Sequence, residues 1–203
     1  MKFVRLLAIN LILFTLAACS TVPTSTESTP LQSLSKEERI VLAKQFNHWE
    51  LRGKLALISA KERKSANINW RYSPTTQKLT LTAVLGVEVF SLTTKNGKHV
   101  LEVDGEEYTS DNLEWLLYDL TGYLLPVSQL HAWLKGVSLD NRDFIQYDAK
   151  TTLPASLTSF HNNREWQVQY SHYKNVGNLP LAHRLTIKQG DLTIKIMINR
   201  WHK

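Results

Sequence analysis

Residues 66–72 read Ala-Asn-Ile-Asn-Trp-Arg-Tyr, so that Ala66, Ile68, Trp70 and Tyr72 alternate with polar residues. Successive side chains of a β-strand point to opposite faces of the sheet. This alternation therefore predicts a strand with one face buried and the other in water. Sheets of such strands are antiparallel, because parallel sheets are usually covered on both faces. The stretch thus indicates an antiparallel sheet with one wet side.

Similar alternation on both sides of this stretch extends the sheet. Further segments of this kind lie at 51–57, 79–83, 87–92, 99–104, 157–161, 166–170 and 192–198. Dipeptides typical of tight turns stand beside several of them, at Asn96-Gly97, Asp104-Gly105, Asn162-Asn163 and Gly190-Asp191. The pattern predicts roughly eight to eleven strands, a sheet long enough to curl.

Three short segments show helical spacing instead. Residues 35–38, Ser-Lys-Glu-Glu, form a capping box that begins the first helix. A second helix begins near Asp111 and ends at Gly122, and a third is capped by Ser128 and ends before Gly136. Together these elements predict a mainly β (α+β) fold. It is an antiparallel, incompletely closed β-barrel with a short helical lid over an apolar cavity.

The N-terminus has the layout of a bacterial lipoprotein signal. Basic Lys2 and Arg5 precede an apolar run over residues 6–18, which ends in Leu16-Ala17-Ala18 before Cys19, the only cysteine of the chain. The alternatives are an ordinary secretory signal with an incidental cysteine or a short membrane anchor. The run is shorter than the roughly 20 residues that a membrane span needs. We therefore expect Cys19 to carry a lipid.

Composition then divides the chain into three parts. Residues 1–18 are the expected signal peptide, and residues 19–35 are rich in Ser, Thr, Pro and Gln, which is typical of a flexible tether. Residues 36–203 are expected to form one half-barrel domain, long enough to bury a substantial core. Because Cys19 is the only cysteine of the chain, this exported domain has no internal disulfide.

Charge and motifs exclude several classes of function. The chain has 24 Lys and Arg against 18 Asp and Glu, a mild excess that is spread out and does not indicate nucleic-acid binding. The motifs of serine hydrolases, zinc proteases and phosphate-binding loops are absent, and the seven His are scattered. The adjacent carboxylates of Glu106 and Glu107 are better explained as a solvated loop end than as an acid/base pair. We therefore expect no enzyme activity, no cofactor and no metal.

Residues 83–87, Ala-Val-Leu-Gly-Val, interrupt the strand pattern without the usual polar turn residues. One unbroken strand through them would be far longer than is usual, so a turn is expected at Gly86. The alternative is a long strand with a bulge at Gly86. A turn here would expose Val84 and Leu85 to water, and such an apolar tip is suited to contact acyl chains or a membrane.

Two other segments remain open to two interpretations. The hairpin end Lys61-Glu62-Arg63-Lys64 is either a solvated turn or a weak contact for anionic headgroups. Large aromatic residues either fill the core or form the wall of the cavity. The candidate cavity residues are Trp70, Trp115, Trp133, Leu116, Leu117 and Leu120.

Several of these features together resemble the LolB family of outer-membrane lipoprotein receptors. The resemblance spans about residues 45 to 201. It is carried by the cysteine signal with Ser20, Arg52-Gly53-Lys54, Leu85-Gly86, Gly122 with Leu125-Pro126, and Trp133-Leu134-Lys135-Gly136. No single motif is highly specific, and the resemblance rests on their order along the chain.

The resemblance implies a function in lipoprotein delivery. Members of the family accept triacylated lipoproteins from the periplasmic carrier LolA and place them in the outer membrane, without nucleotide or metal. A protruding Leu that corresponds to Leu85 is the residue they insert into the membrane. Here Val84 stands where Pro is usual. Ser20 after the lipidated cysteine implies sorting to the periplasmic face of the outer membrane.

The expected partners are thus a LolA-like carrier, lipoprotein acyl chains and outer-membrane lipid, with the protein itself a monomer. Two other functions remain open from the sequence. One is a structural lipoprotein subunit of an outer-membrane assembly complex, which would use its sheet edge and need no cavity. The other is a hydrolase with an unrecognised site.

Overall fold

A computed structural model describes residues 30–203. The signal peptide and Cys19, together with the first part of the expected tether, lie outside the described residues. The helices are α1 (Lys36–Gln45), α2 (Leu113–Thr121) and α3 (Val127–Trp133). The strands are β1 (Trp49–Ile58), β2 (Arg63–Tyr72), β3 (Thr76–Thr82), β4 (Glu88–Lys95), β5 (Lys98–Val103), β6 (Glu106–Ser110), β7 (Phe144–Tyr147), β8 (Pro154–His161), β9 (Arg164–Val176), β10 (Leu179–Gln189) and β11 (Leu192–His202).

All eleven strands belong to one antiparallel sheet with the order β6-β5-β4-β3-β2-β1-β11-β10-β9-β8-β7. β1 and β11 pair in the middle, so the end of the chain returns to the start of the sheet. β6 and β7 are the two edges and do not pair with each other, which leaves the barrel open. The predicted open antiparallel sheet with short helices is confirmed.

Gly53 allows β1 and β11 to approach each other closely. The pairing shifts by one residue between Arg52 and Gly53. A Cβ atom on Gly53 would lie 2.1 Å from the carbonyl oxygen of Met197, well inside van der Waals contact. Only glycine fits at this irregularity in the centre of the sheet.

The strands alternate as the sequence predicts, with one face buried and one exposed. Inward residues of β1, β2, β10 and β11 form the core, among them Leu51, Ile68, Trp70, Leu185 and Ile196, all fully or nearly fully buried. The outward residues are mostly polar or charged. One continuous apolar cluster links this inner face to side chains of the helices.

The helices α2 and α3 form the predicted lid on the inner face. Asn112 caps α2 through its side chain, and Gly122 ends it with φ 73°, as the sequence predicts. The prediction that Ser128 caps α3 is wrong. The helix begins at Val127 after Pro126, whose side chain makes no cap hydrogen bond, and the Ser128 hydroxyl instead donates to Glu114 Oε1 at 2.8 Å.

Helix α1 is held by two buried cations. Its capping box between Ser35 and Glu38 is present as predicted. Arg39 donates to the carbonyl oxygens of Lys135 at 2.6 Å and Gly136 at 3.3 Å, and Lys135 Nζ donates to the carbonyl of Phe46 at 2.9 Å. These bonds fix α1 to the segment that follows the lid.

Two elements differ from the sequence analysis. Strand β7 was not predicted, because it has only four residues, lies at an edge and leaves Phe144 exposed. Glu106 and Glu107, expected at a solvated loop end, are exposed but are the first residues of strand β6. Across residues 30–203, no helix is long and apolar enough to cross a membrane.

Candidate functional site

The turn between β3 and β4 exposes the three large apolar residues of segment 83–87, which we call the apolar tip. The Ala83 amide donates to the Val87 carbonyl at 2.8 Å, and the Gly86 amide donates to the Ala83 carbonyl at 2.9 Å. Gly86 has φ 81°, a backbone conformation that favours glycine. The predicted turn is therefore confirmed, and the bulged-strand alternative is wrong.

The tip is far more exposed than a core residue of the same type. Val84 is 89 % exposed, Leu85 is 92 % exposed and Val87 is 62 % exposed. Burying one such side chain fully is worth about 1.5–3 kcal/mol. Burial of the three side chains against an apolar partner would therefore stabilise that contact by several kcal/mol. Three adjacent exposed apolar residues at one turn indicate a contact site.

The inner face beside the tip is only half covered. Leu79, Leu92 and Leu101 form one row across β3, β4 and β5 and are buried. The next row towards the tip, formed by Leu81, Phe90 and Val103, is half-buried. The apolar inner face of the half-barrel thus continues to the tip, but the side chains that cover it do not extend that far.

The lid supplies further apolar side chains that are incompletely covered. Leu116, Tyr123 and Leu125 are half-buried. Trp115 is 58 % exposed and packs edge-to-face on Tyr118, with ring centroids 5.7 Å apart. We call the half-buried row on β3, β4 and β5, together with these lid residues, the apolar mouth.

Glu114 attaches the lid to the opposite side of the sheet. Its Oε1 lies 2.7 Å from His161 Nε2 and 2.8 Å from the Ser128 hydroxyl, and its Oε2 accepts a hydrogen bond from the Asn162 side chain. His161 and Asn162 lie at the β8–β9 turn. One carboxylate on α2 therefore connects α2, α3 and the hairpin near the edge strand β7. A half-buried carboxylate with three donors is well satisfied.

The six cavity candidates from the sequence fall into different environments. Trp70, Trp133 and Leu117 are packed in the core and are at most 1 % exposed. Leu116 is half-buried, while Trp115 and Leu120 are exposed. Trp133 packs on Trp166 with centroids 6.0 Å apart, so part of the space beneath the lid is filled by aromatic side chains.

None of the three best-defined surface pockets in residues 30–203 is lined by the six candidates. The largest of these three, about 520 Å³, lies at the far end of the strands from the tip, beside Tyr72, Gln77 and Lys95. The second, about 360 Å³, lies between α1 and the β9–β10 turn. The third, about 330 Å³, lies on the outer face of β1, β10 and β11. The role of the six candidates in a cavity remains a prediction.

Sequence reasoning missed several residues of the mouth. Leu81 is the last inward-facing residue before the tip and forms with Phe90 the first half-buried apolar pair across it, so alternation together with the turn at Gly86 could have indicated them. Tyr123 and Leu125 lie in the irregular segment between α2 and α3, where no periodicity exists. Their positions depend on tertiary packing.

The charged groups near the mouth either form ion pairs or lie exposed on the surface. Lys64 Nζ lies 2.8 Å from Glu62 Oε2, and this hydrogen bond raises the pKa of Lys64. Among the described residues, no group of His, Cys, Asp and Glu is arranged to hold a metal ion. The site offers apolar surface bordered by charge, which is suited to binding lipid.

Comparison with known proteins finds similar sequences over most of the chain. Residues 47–201 match the family described as outer membrane lipoprotein LolB. A protein named outer-membrane lipoprotein LolB from Shewanella baltica (strain OS223) is 34 % identical over 190 residues, covering 93 % of this chain and 85 % of that protein. A protein of the same name from Aeromonas salmonicida (strain A449) is 30 % identical over 200 residues, covering 98 % and 96 %.

Solved structures share the fold at low sequence identity. An outer-membrane lipoprotein-sorting protein domain from Vibrio parahaemolyticus has a TM-score of 0.54 at 8 % identity, covering 83 % of this chain and 93 % of that one. A LolA superfamily protein from Nitrosomonas europaea has a TM-score of 0.54 at 6 % identity, with the same coverage. These similarities show the architecture of an open sheet with helices.

Proposed function

The chain belongs to the LolB family of outer-membrane lipoproteins, and from this membership we propose that it accepts triacylated lipoproteins from a LolA-like carrier and inserts them into the outer membrane. The membership itself shows that the protein is an outer-membrane lipoprotein that functions in lipoprotein localisation. The carrier, the cargo chains and the insertion step are the proposal. The observation that carries it is the apolar tip, with Leu85 92 % exposed beside the half-buried apolar mouth.

The energetics of the cargo require a shielding surface at the acceptor membrane. Three acyl chains contain about 45 methylene groups, and at ~0.8 kcal/mol each their exposure to water costs roughly 35 kcal/mol. Non-covalent affinities saturate near about −18 to −21 kcal/mol. A protein can therefore hold the chains more tightly than a carrier does and still release them to a bilayer. Transfer runs downhill without nucleotide, so no catalytic residue is needed.

The geometry suits an entry path at the apolar mouth. Leu81, Phe90 and Val103 offer an apolar surface that leads from the tip towards the buried row behind them. Side chains of the lid fill the space further in, so accepting several chains requires the lid to move away from the inner face. Glu114 is the polar contact that such a movement would break.

We further propose that Cys19 carries the lipid anchor and that the segment after it is the tether to the half-barrel domain of residues 36–203. Gln32 and Leu34 already contact the domain: the Gln32 amide donates to Asn175, and the Thr152 hydroxyl donates to the Leu34 carbonyl at 3.1 Å. An anchor at Cys19 would thus hold the domain near the membrane.

The test is Leu85→Glu in the lipidated chain. Because the Leu85 side chain contacts no core, we expect folding and binding of acylated cargo to be unchanged. A buried charge at the tip opposes entry into the bilayer, so delivery of a radiolabelled lipoprotein from LolA to vesicles falls at least tenfold. The matched control is Val41→Glu on helix α1, which is 52 % exposed and lies at the far end of the strands.

Two results would overturn the proposal. One is delivery by Leu85→Glu at the rate of Val41→Glu, which would deny the tip its role in insertion. The other is a wild-type protein that fails to bind an acyl chain stoichiometrically, which would favour a structural subunit of an assembly complex.

A further inference from the structure

We propose that the β1–β2 hairpin, with Lys61, Arg63 and Lys64, is a contact surface for anionic phospholipid headgroups that orients the protein while the apolar tip enters the bilayer. The inference rests on the proposed function of the tip and adds the class of lipid and the face that meets it. Its occupant is the surface of an anionic bilayer.

The hairpin carries a compact excess of positive charge. Lys61, Arg63 and Lys64 are exposed, and Glu62 is the only acidic residue among them. Glu62 pairs with Lys64, and neither Lys61 nor Arg63 forms an ion pair with any residue of 30–203. Two exposed cations two residues apart can both face a planar anionic surface.

The strand register places this hairpin level with the tip. Asn67 on β2 pairs with Thr82 on β3. From that pair, Arg63 is four residues further along β2, and Leu85 is three residues further along the β3–β4 turn. At about 3.3 Å per residue, the cations therefore reach at least as far along the strand direction as the leucine. When Leu85 enters the acyl region, the hairpin reaches the headgroups.

A further cation, Lys188, lies in the same row on the neighbouring strands. Ile58, at the end of β1, pairs with Thr193 on β11, and Thr193 pairs with Lys188 on β10. Lys188 is exposed on the outer face. The basic surface thus extends from the β1–β2 hairpin to Lys188 on the outside of the barrel, with the exposed Asp191 at the adjoining β10–β11 turn.

The acidic turn on the other side of the tip is set back. Asp104, Glu106 and Glu107 lie at the β5–β6 turn, where Val103 pairs with Phe90, and Phe90 pairs with Leu81. This turn therefore ends about two residues short of Leu85 along the strands. On this side of the tip the carboxylates are therefore withdrawn, while the cations of the β1–β2 hairpin project forward. An anionic surface would attract one side and repel the other, which tilts the protein towards its β1–β2 side.

The experiment uses the lipidated chain in vesicles, with a cysteine introduced by Ala60→Cys at the hairpin and labelled with an environment-sensitive fluorophore. Vesicles of phosphatidylcholine alone are compared with vesicles containing phosphatidylglycerol. We expect a blue shift of the label only in the anionic vesicles, lost at high salt because screening weakens surface attraction. In the double variant Lys61→Gln, Arg63→Gln, the ratio of membrane-bound to unbound hairpin, measured from the blue-shifted and unshifted label, should fall at least tenfold.

The matched control is Arg71→Gln with Lys78→Gln, which removes one arginine and one lysine from exposed positions at the other end of β2 and β3. This control should keep the blue shift. Equal behaviour of the two double variants, or an equal shift in neutral and anionic vesicles, would overturn the inference. So would a hairpin variant that docks normally on vesicles but loses delivery from LolA, because the cations would then serve the carrier.

The headgroup contact and the proposed role of the tip can each be refuted without the other. Normal delivery by Leu85→Glu alongside a charge-dependent shift at Ala60→Cys would remove the role of the tip and leave the headgroup contact. Loss of delivery in Leu85→Glu with no charge-dependent shift would support the role of the tip and refute the headgroup contact.

Discussion

At the scale of single residues, the most unusual feature is a pair of buried cations. Arg39 and Lys135 are 1 % and 5 % exposed and donate to backbone carbonyls, and no carboxylate within residues 30–203 pairs with them. Burial in place of an ion pair disfavours the charged forms, so the pKa of Arg39 is lowered and that of Lys135 falls to about 8. Their carbonyl bonds join α1 to the end of the lid at the cost of some stability.

Lys135 gives the protein a pH-dependent stability. Its pKa is about 8 in the folded state against about 10.5 when unfolded, so the unfolded state binds more protons between these values. The free energy of unfolding should therefore rise with pH from about 8 to 9.5, by about 1–2 kcal/mol. Urea unfolding of the wild type and of Lys135→Met across this range measures the difference.

The pH range in which stability rises is limited at its upper end by buried tyrosines. Burial raises the pKa of Tyr170 and of Tyr173, so these phenols stay protonated in the folded state while the unfolded ones ionise above about pH 10. Stability contributed by these groups falls above that pH. A pH slope in Lys135→Met equal to that of the wild type between pH 8 and 9.5 would contradict the role of Lys135.

At the scale of elements, Glu114 determines how firmly helix α2 is attached. Glu114→Ala removes three hydrogen bonds and leaves the donors of His161 and Asn162 without their partner. We expect a loss of about 1–3 kcal/mol in local stability. Amide hydrogen exchange of residues 113–121 should accelerate about tenfold or more, while the exchange of β1 and β11 stays unchanged.

Asp119→Ala is the control for this change, because Asp119 is exposed on the same helix. It should leave exchange in the lid near the wild-type rate. If both variants exchange alike, the contacts of Glu114 do not hold the lid.

How far the elements could be predicted depends on the range of the interactions that form them. The turns at Asn96-Gly97 and Asn162-Asn163, the capping box of α1 and the stop at Gly122 depend on local backbone chemistry, and all of them were predicted. Strand β7 exists because β8 offers a pairing edge, which four residues cannot encode. The cap of α3 was predicted wrongly because Ser128 has a long-range partner, Glu114, that outcompetes its own helix end.

The same reasoning applies to the candidate site. Alternation that breaks around Gly86 was sufficient to predict an exposed turn with Val84 and Leu85. The division of the tryptophans could not be predicted, since Trp115 and Trp133 lie in similar helical patterns. One is 58 % exposed and the other is fully buried. Which face of a lid helix is covered depends on the sheet beneath it.

At the scale of the whole domain, the two ends of the sheet differ in what covers them. Helix α1 packs at one end, where Leu42 and Phe46 lie beside the β9–β10 turn. The apolar tip, the mouth and the contacts of Glu114 lie at the other, since the turns β1–β2, β3–β4 and β8–β9 all point that way. A half-barrel with open edges β6 and β7 can therefore admit cargo at one end by moving its lid while the rest of the core stays packed.

This view predicts that fixing the lid blocks cargo. In Glu114→Cys with Asn162→Cys, the two side chains replace a hydrogen-bonded pair and so lie within reach of a short reducible thiol cross-linker. With the cross-link in place, the lid cannot leave the β8–β9 turn, and binding of acylated lipoprotein should fall at least tenfold. Reduction should restore it to the value of the unlinked double variant, which controls for the lost carboxylate. Each single-cysteine variant treated with the reagent should bind cargo normally. Undiminished binding by the cross-linked protein would mean that acyl chains enter without movement of α2, through the half-buried row on β3, β4 and β5 alone.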